Sequence, residues 1–379
     1  MAWWRAIEEK EAGTLVTFII GNGFDINVGL KTRYTDFYKV YTEKKSSDSK
    51  LVRRFKEEIL KSEAHNWRNW ADFELQMGIH SKEFLGDTPV EDFMECFDDF
   101  VVRFNDYLTD ECEKIDWELV DETIYGVFLR SILSFETYVT QASQPEIKKL
   151  IANNASVNFL QFNYTGIFEA LLQLSTFSQR LENQNRSSSN RNNRIARVGK
   201  LFHVHGKLGA GGYPTMGVDN EMQIENEKMR SDLRIQKIFI KPSFLGALQA
   251  RNVNQKSVRD EAVSAINGSS IICTFGTSIG HTDKYWWKSI GSWLEQGNGT
   301  IIIFDICGAA DDGISPLSFL NSEMSIDDRR KEITERFLHL TELDTEWFET
   351  NRERIIVELD TAMFDFKLPI HINRSNNSN

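Results

Sequence analysis

Short apolar runs alternate with amphipathic stretches along this chain, and most of the runs stop abruptly on glycine or polar residues. The first is Thr17-Phe-Ile-Ile20, which ends on Gly21-Asn-Gly-Phe-Asp25. A brief polar run follows, then Thr32-Arg-Tyr-Thr-Asp-Phe-Tyr-Lys-Val-Tyr41 with its apolar residues at helical spacing. The run reads as a buried strand and the later segment as an amphipathic helix, so the two glycines fall on a strand-to-helix turn. The device recurs. Ser156-Val-Asn-Phe-Leu-Gln-Phe-Asn-Tyr-Thr165 leads into the helix-like Gly166–Leu174, and Leu201-Phe-His-Val-His-Gly206 closes on His-Gly. Ser269-Ser-Ile-Ile-Cys-Thr-Phe-Gly-Thr-Ser278 precedes a helix with Thr282 or Asp283 as its N-cap, and Gly299-Thr-Ile-Ile-Ile-Phe-Asp305 ends on an acid. Strands alternating with helices predict a doubly wound, mostly parallel α/β sheet of the Rossmann type, with the polar strand ends converging on one edge.

Between residues 46 and 150 the pattern changes. Glycine becomes rare, and apolar residues recur at helical spacing, as in Leu51, Phe55 and Ile59, or Phe93, Phe97, Phe100, Val101 and Phe104. Asp and Glu are dense over 91–122, as on solvated helix faces. This stretch is expected to be a large helical insertion of four to six helices covering the sheet. Within it, Asn69-Trp-Ala-Asp-Phe-Glu74 reads as a Trp and a Phe packed in a helix interface. The organisation expected is an α/β core of residues 14–45 and 151–310, the insertion at 46–150, and a C-terminal helical extension at 311–379. Residues 183–194, rich in Asn, Ser and Arg, read as a loop.

Composition narrows the function. The chain has 379 residues, 41% hydrophobic and 26% charged, with a formal net charge of −12. That balance argues against a general phosphate-backbone binder, which needs clustered Lys and Arg, but leaves a small anionic ligand open. Aromatic residues make up 12%, 26 of them Phe, which points to an aromatic-packed helical core. The four cysteines contain no Cys-x-x-Cys pair, so neither a zinc ribbon nor a thioredoxin-type motif is expected; Cys273 and Cys307 sit in apolar runs as small buried residues. No signal-peptide pattern and no membrane-length apolar run is present, and a cytoplasmic protein without membrane contact is expected.

The candidate chemistry lies at the strand ends. Glycines after a strand allow positive φ and close backbone approach, and the exposed N–H groups there favour an anion; the plain alternative is a tight turn without a ligand. Asn163 and Thr165 fall at the carboxyl end of a buried strand, where α/β sheets place ligands. His205 ends a strand before Gly206, placed either to enter a cleft or to serve as a satisfied structural histidine. Asp305 is placed as an acid for ribose hydroxyls.

Gly21-Asn-Gly-Phe-Asp25, Gly29-Leu-Lys-Thr32, Tyr34-Thr-Asp-Phe37, Trp70-Ala-Asp-Phe-Glu74, Phe162-Asn-Tyr-Thr165, Val204-His-Gly206 and Gly276-Thr-Ser-Ile-Gly-His-Thr-Asp283 together resemble the bacteriophage abortive-infection AbiH family over roughly residues 15–310. The same landmarks look like a divergent sirtuin (SIR2-like) domain. That resemblance implies NAD as substrate, hydrolysed to nicotinamide and ADP-ribose in an anti-phage response, with no metal. It makes Asn163 and His205 the catalytic pair. Gly21, Asn22, Gly23, Phe24, Asp25, Thr165, Gly276, Thr277, Ser278 and Asp305 would hold the dinucleotide. A phage-derived activator and self-assembly into a homo-oligomer fit the same picture. The sequence departs from sirtuins in lacking a four-cysteine zinc module between His-Gly and Gly-Thr-Ser, and in carrying Lys31 and Thr165 where sirtuins have Pro and Asp. Two other classes stay open: a SIR2-like module that senses a nucleotide without turnover, and a metal-dependent nuclease-type toxin drawing Asp25, Glu74, Asp219 and Asp283 together.

Overall fold

The computed structural model describes residues 14–43, 45–65, 70, 72–151, 155–174, 195–209, 214–241, 258–305 and 326–371. Six strands, β1 (Leu15–Ile20), β2 (Ala155–Gln161), β3 (Ile195–His203), β4 (Ile271–Phe275), β5 (Thr300–Asp305) and β6 (Ile355–Leu359), form one sheet in the order β3-β2-β1-β4-β5-β6. Every pairing is parallel. The doubly wound sheet expected from the alternating pattern is therefore present. Its central strand shows why the runs are continuous rather than alternating: Val16, Phe18 and Ile20 join the core on one face while Ile19 joins the core on the other. A parallel strand covered on both faces has no wet side to make polar.

The helices in chain order are α1 (Gly23–Asn27), α2 (Tyr34–Tyr41), α3 (Lys50–Leu60), α4 (Phe73–His80), α5 (Pro89–Glu113), α6 (Glu122–Leu133), α7 (Gln144–Leu150) and α8 (Ile167–Gln173). After these come α9 (Glu227–Arg230), α10 (Leu233–Phe239), α11 (Val258–Asn267), α12 (Lys284–Gln296), α13 (Ile326–Thr341) and α14 (Thr345–Asn351). Residues of α1, α6, α7 and α8 pack on one sheet face; α11, α12 and α13 cover the other. A third core contains no sheet strand at all. It joins Phe37, Tyr38 and Tyr41 of α2 to Phe55 of α3, Phe73 of α4, a long file of aromatics on α5, and Phe239 of α10. The rings of Phe73 and Phe100 stack with centroids 3.4 Å apart. The helical stretch 46–150 thus divides, with α3–α5 building a separate cap and α6–α7 lining the sheet.

The C-terminal extension, expected to be helical, needs correction. After α13 and α14 the chain enters β6, which pairs with β5 along Ile301↔Ile355 to Asp305↔Leu359 and completes the sheet. Ile355-Ile-Val-Glu-Leu359 is a short apolar β-branched run, and flanking charged residues hide it within an otherwise helical-looking tail. Beyond β6, Phe364 returns under the sheet to meet Phe24 edge-on, with ring centroids 5.2 Å apart. Cys273 is fully buried in β4, as expected, whereas Cys307 and the 183–194 loop lie outside the described residues. Among the described residues, no helix is long and apolar enough to cross a membrane.

Candidate active site

The order of the sheet reverses between β1 and β4, which makes their carboxyl ends the topological switch point. The turn after β1 and the turn after β4 meet there. Gly21 N–H donates to Phe275 O at 3.0 Å, Gly23 N–H to Gly276 O at 2.8 Å, and Phe24 N–H to Gly21 O at 3.0 Å. A Cβ on Gly21 would lie 2.4 Å from Gly276 O, and Gly276 itself has φ +63°. Glycine is required because two backbones touch. Three of the amides expected to face a phosphate are thereby bonded to main-chain carbonyls. Asn22 is exposed and exchanges two hydrogen bonds with Thr32. The Phe24 ring turns into the sheet core. Gly276 and Thr277 are half-buried, and Ser278 is exposed at the same edge. Asp305 ends β5, one strand further out, and accepts from Arg329 at 2.9 Å.

Asp25, on the first short helix, points inward and is completely buried. Asn163 Nδ2 donates to its Oδ1 at 3.0 Å and Thr165 Oγ1 to its Oδ2 at 2.6 Å. Burial pushes the Asp25 carboxyl up from 3.8 to about 7, against the opposing pull of the Thr165 and then the Asn163 hydrogen bonds. The donor bond fixes the Asn163 amide so that its buried Oδ1 has no partner. Three predicted site residues are therefore brought together from the segments that follow β1 and β2.

His205 lies level with Asn163, each two positions beyond the strand pair Gln161↔His203. It is 3% exposed, and its ring sits against Phe162 with centroids 5.0 Å apart. Its Nε2 comes within 3.2 Å of Asp283 Oδ1, yet without the alignment of a hydrogen bond, so this buried nitrogen is also unpaired. Burial lowers the imidazole from 6.5 to about 4; Asp283 pulls the other way, and Lys241 reinforces the lowering. His205 is thus neutral across the physiological range.

Asp283 stands at the start of α12, but its side chain makes no capping bond there. The carboxylate instead takes Lys241 Nζ on Oδ1 at 3.0 Å, and Lys241 reaches on to Glu74 Oε2 at 2.6 Å. Tyr34 OH donates to Glu74 Oε1 at 3.2 Å, and Tyr164 OH donates to the same oxygen. The Trp70–Glu74 segment, read from sequence as packing, does place Trp70 and Phe73 in the cap core, but it also delivers this acid. Lys241 escaped the sequence reading altogether; the only signal was a lysine closing the apolar run Ile238-Phe-Ile. Asp219 lies apart from the other acids in its bonding, accepting from Tyr285 N–H at 2.7 Å. Among the described residues, no group of three or more His, Cys, Asp or Glu side chains could hold a metal ion.

Fold and site together define an open parallel α/β protein with a buried acid–amide–histidine centre at the carboxyl edge of its sheet, the edge where such folds place ligands. The chain belongs to the bacteriophage abortive infection AbiH family, whose model matches residues 17–305. That membership gives it an anti-phage, abortive-infection role. No curated protein matches the sequence significantly.

Proposed function

We propose that the protein acts in abortive infection by hydrolysing NAD to nicotinamide and ADP-ribose at the β1–β2–β3 edge. The observation that carries this reading is the pair of buried atoms without a hydrogen bond, Asn163 Oδ1 and His205 Nε2, just beyond the ends of adjacent strands. Buried polar atoms are nearly always bonded, so two such atoms beyond adjacent strands call for a ligand whose polar groups can pair with them. A water or ribose hydroxyl would donate to Asn163 Oδ1, with Asp25 and Thr165 keeping the amide in that orientation. As the C1′–N bond breaks, nicotinamide leaves with the bonding pair. Water adds its oxygen to C1′ and its proton passes to His205 Nε2, where the neighbouring Asp283 carboxylate stabilises the imidazolium. The exposed face of the Asn22 and Thr277–Ser278 turns is the place for the pyrophosphate, held by what the glycine packing leaves free.

The test is chromatography of nicotinamide and ADP-ribose after incubation with NAD, for wild type, His205→Ala and Asn163→Ala. Loss of a general base removes about 10²- to 10⁴-fold of rate, so both variants should fold and fall by that amount. NAD bound without product by the wild type, in phage-infected cells as well as in vitro, would replace turnover with sensing. Magnesium-dependent nucleic-acid cleavage abolished by EDTA would replace it with a nuclease.

A further inference from the structure

The hydrolytic scheme uses His205 and Asp283 but leaves Glu74 and Lys241 without a task, although both are almost fully buried. A buried lysine carries a desolvation cost and is kept only where partners hold its charge. Burial works against the Lys241 ammonium, but Asp283 and Glu74 outweigh it and hold its pKa well above the ordinary lysine range. What distinguishes the arrangement is the atom it converges on. Asp283 Oδ1 is the oxygen that faces His205 Nε2 at 3.2 Å, and it is the same oxygen that Lys241 Nζ holds at 3.0 Å. Glu74, steadied by Tyr34 and Tyr164, pins the other side of the ammonium.

We propose that Lys241, anchored by Glu74, is a positioning residue that sets the proton affinity of His205 through their shared oxygen on Asp283. With Lys241 in place, the carboxylate is partly neutralised and draws a proton to Nε2 less strongly, so the resting imidazole stays free to accept one. Among the described residues, the charged or titratable groups around His205 are Asp283 at the start of α12, Lys241 beyond α10, and Tyr164 beyond β2, whose ring lies 6.3 Å away. Glu74 and Asp72, from the α4 side, act through Lys241 and Asp283. The catalytic meaning of this tuning rests on the hydrolytic reading; the tuning itself does not.

The experiment is a pH titration of the full chain labelled with ¹³C-histidine, the His205 resonance being assigned by its loss in His205→Gln. The wild-type His205 midpoint is expected near pH 4, well below an ordinary histidine. Lys241→Met should raise it by about one unit or more, the effect of removing a charge at this range, and Lys241→Arg should restore it. Asp283→Asn should lower it further. If Lys241→Met does not fold, the double variant Glu74→Gln/Lys241→Met removes both members of the buried pair together and should still raise the midpoint. A midpoint that stays at the wild-type value in whichever of these two variants folds overturns the proposal, because a purely structural ion pair changes stability and not the midpoint. NAD hydrolysis is measured on the same samples. A shifted midpoint with no turnover in wild type sinks the hydrolytic reading and leaves the Lys241 assignment standing; an unshifted midpoint in an active enzyme does the reverse.

Discussion

Replacing Asp25 by Asn tests the buried carboxylate on which the orientation of Asn163 depends. In the folded chain Asp25 titrates at about 7, against 3.8 for an unperturbed carboxyl, because burial outweighs the hydrogen bonds from Thr165 and Asn163. Between those values the folded chain holds a proton that the unfolded chain has released. The stability arising from this group is therefore complete at the lowest pH and is lost as pH rises through about 7. The slope is about 1.4 kcal/mol per pH unit, or about 4 kcal/mol over the whole span. Asn cannot ionise, so the difference in unfolding free energy between wild type and Asp25→Asn should decline by about 3 kcal/mol from about pH 5 to about pH 8. Urea unfolding followed by tryptophan fluorescence, at several pH values for both chains, gives the difference directly. The wild-type curve alone would mislead, because His205 has the opposite slope. Its folded value of about 4 lies below 6.5, so its contribution is lost as pH falls through that window. A difference independent of pH would refute the reasoning. It would mean that the two donors fully offset burial and that Asp25 is an ordinary carboxylate.

Thr165→Val keeps the shape and removes the stronger of the two donors to Asp25, so the carboxyl should titrate higher still. The loss of stability should be about 1–3 kcal/mol near pH 8 and smaller near pH 5, read from the same urea series. In His205→Gln the fall in stability between about pH 6.5 and pH 4 should disappear, flattening the acid side of the curve; an unchanged acid side would show that His205 titrates normally. Gly21→Ala should lower the melting temperature, at a cost of about 1–3 kcal/mol or more, because its Cβ would meet the Gly276 and Thr277 backbone rather than a flexible side chain. A variant as stable as wild type would show that the two turns do not touch.

The sheet was legible in the residues because its inner strands β1, β4 and β5, covered on both faces, are almost wholly apolar, and five of the six runs end on a visible polar break. β6 was not, because five residues embedded among Arg and Glu carry too little periodicity to separate from helix. The candidate site is legible where a strand end carries its own chemistry, as at Asn163, Thr165 and His205. The glycine turns were harder. A turn that admits a phosphate and a turn that admits another backbone need the same residue, and only the contact of Gly21 with Gly276 distinguishes them. Lys241 left only a lysine at the end of an apolar run, because the partners that make a buried ammonium tolerable are distant in sequence. Glu74 and Asp283 become its neighbours through the fold alone.

The same contact explains why an α/β core of this kind carries a separate aromatic cap. Tyr34 and Glu74 belong to α2 and α4, and Lys241 follows α10, all elements of the third core. Asp283, His205 and Tyr164 belong to the sheet edge. The charge chain that runs from Glu74 through Lys241 to Asp283 therefore crosses from cap to sheet, with Glu74 and Lys241 buried and Asp283 half-buried. Long side chains can hold a geometry of a few tenths of an ångström only if their backbones are rigid, and the stacked rings of Phe73 and Phe100 fix α4 against α5 directly beside Glu74. Removing Phe100 to Ala should consequently do more than destabilise the cap. It should loosen Glu74, weaken its hold on Lys241 and move the His205 midpoint in the same direction as Lys241→Met. If the cap melts while that midpoint stays fixed, the aromatic core serves stability alone.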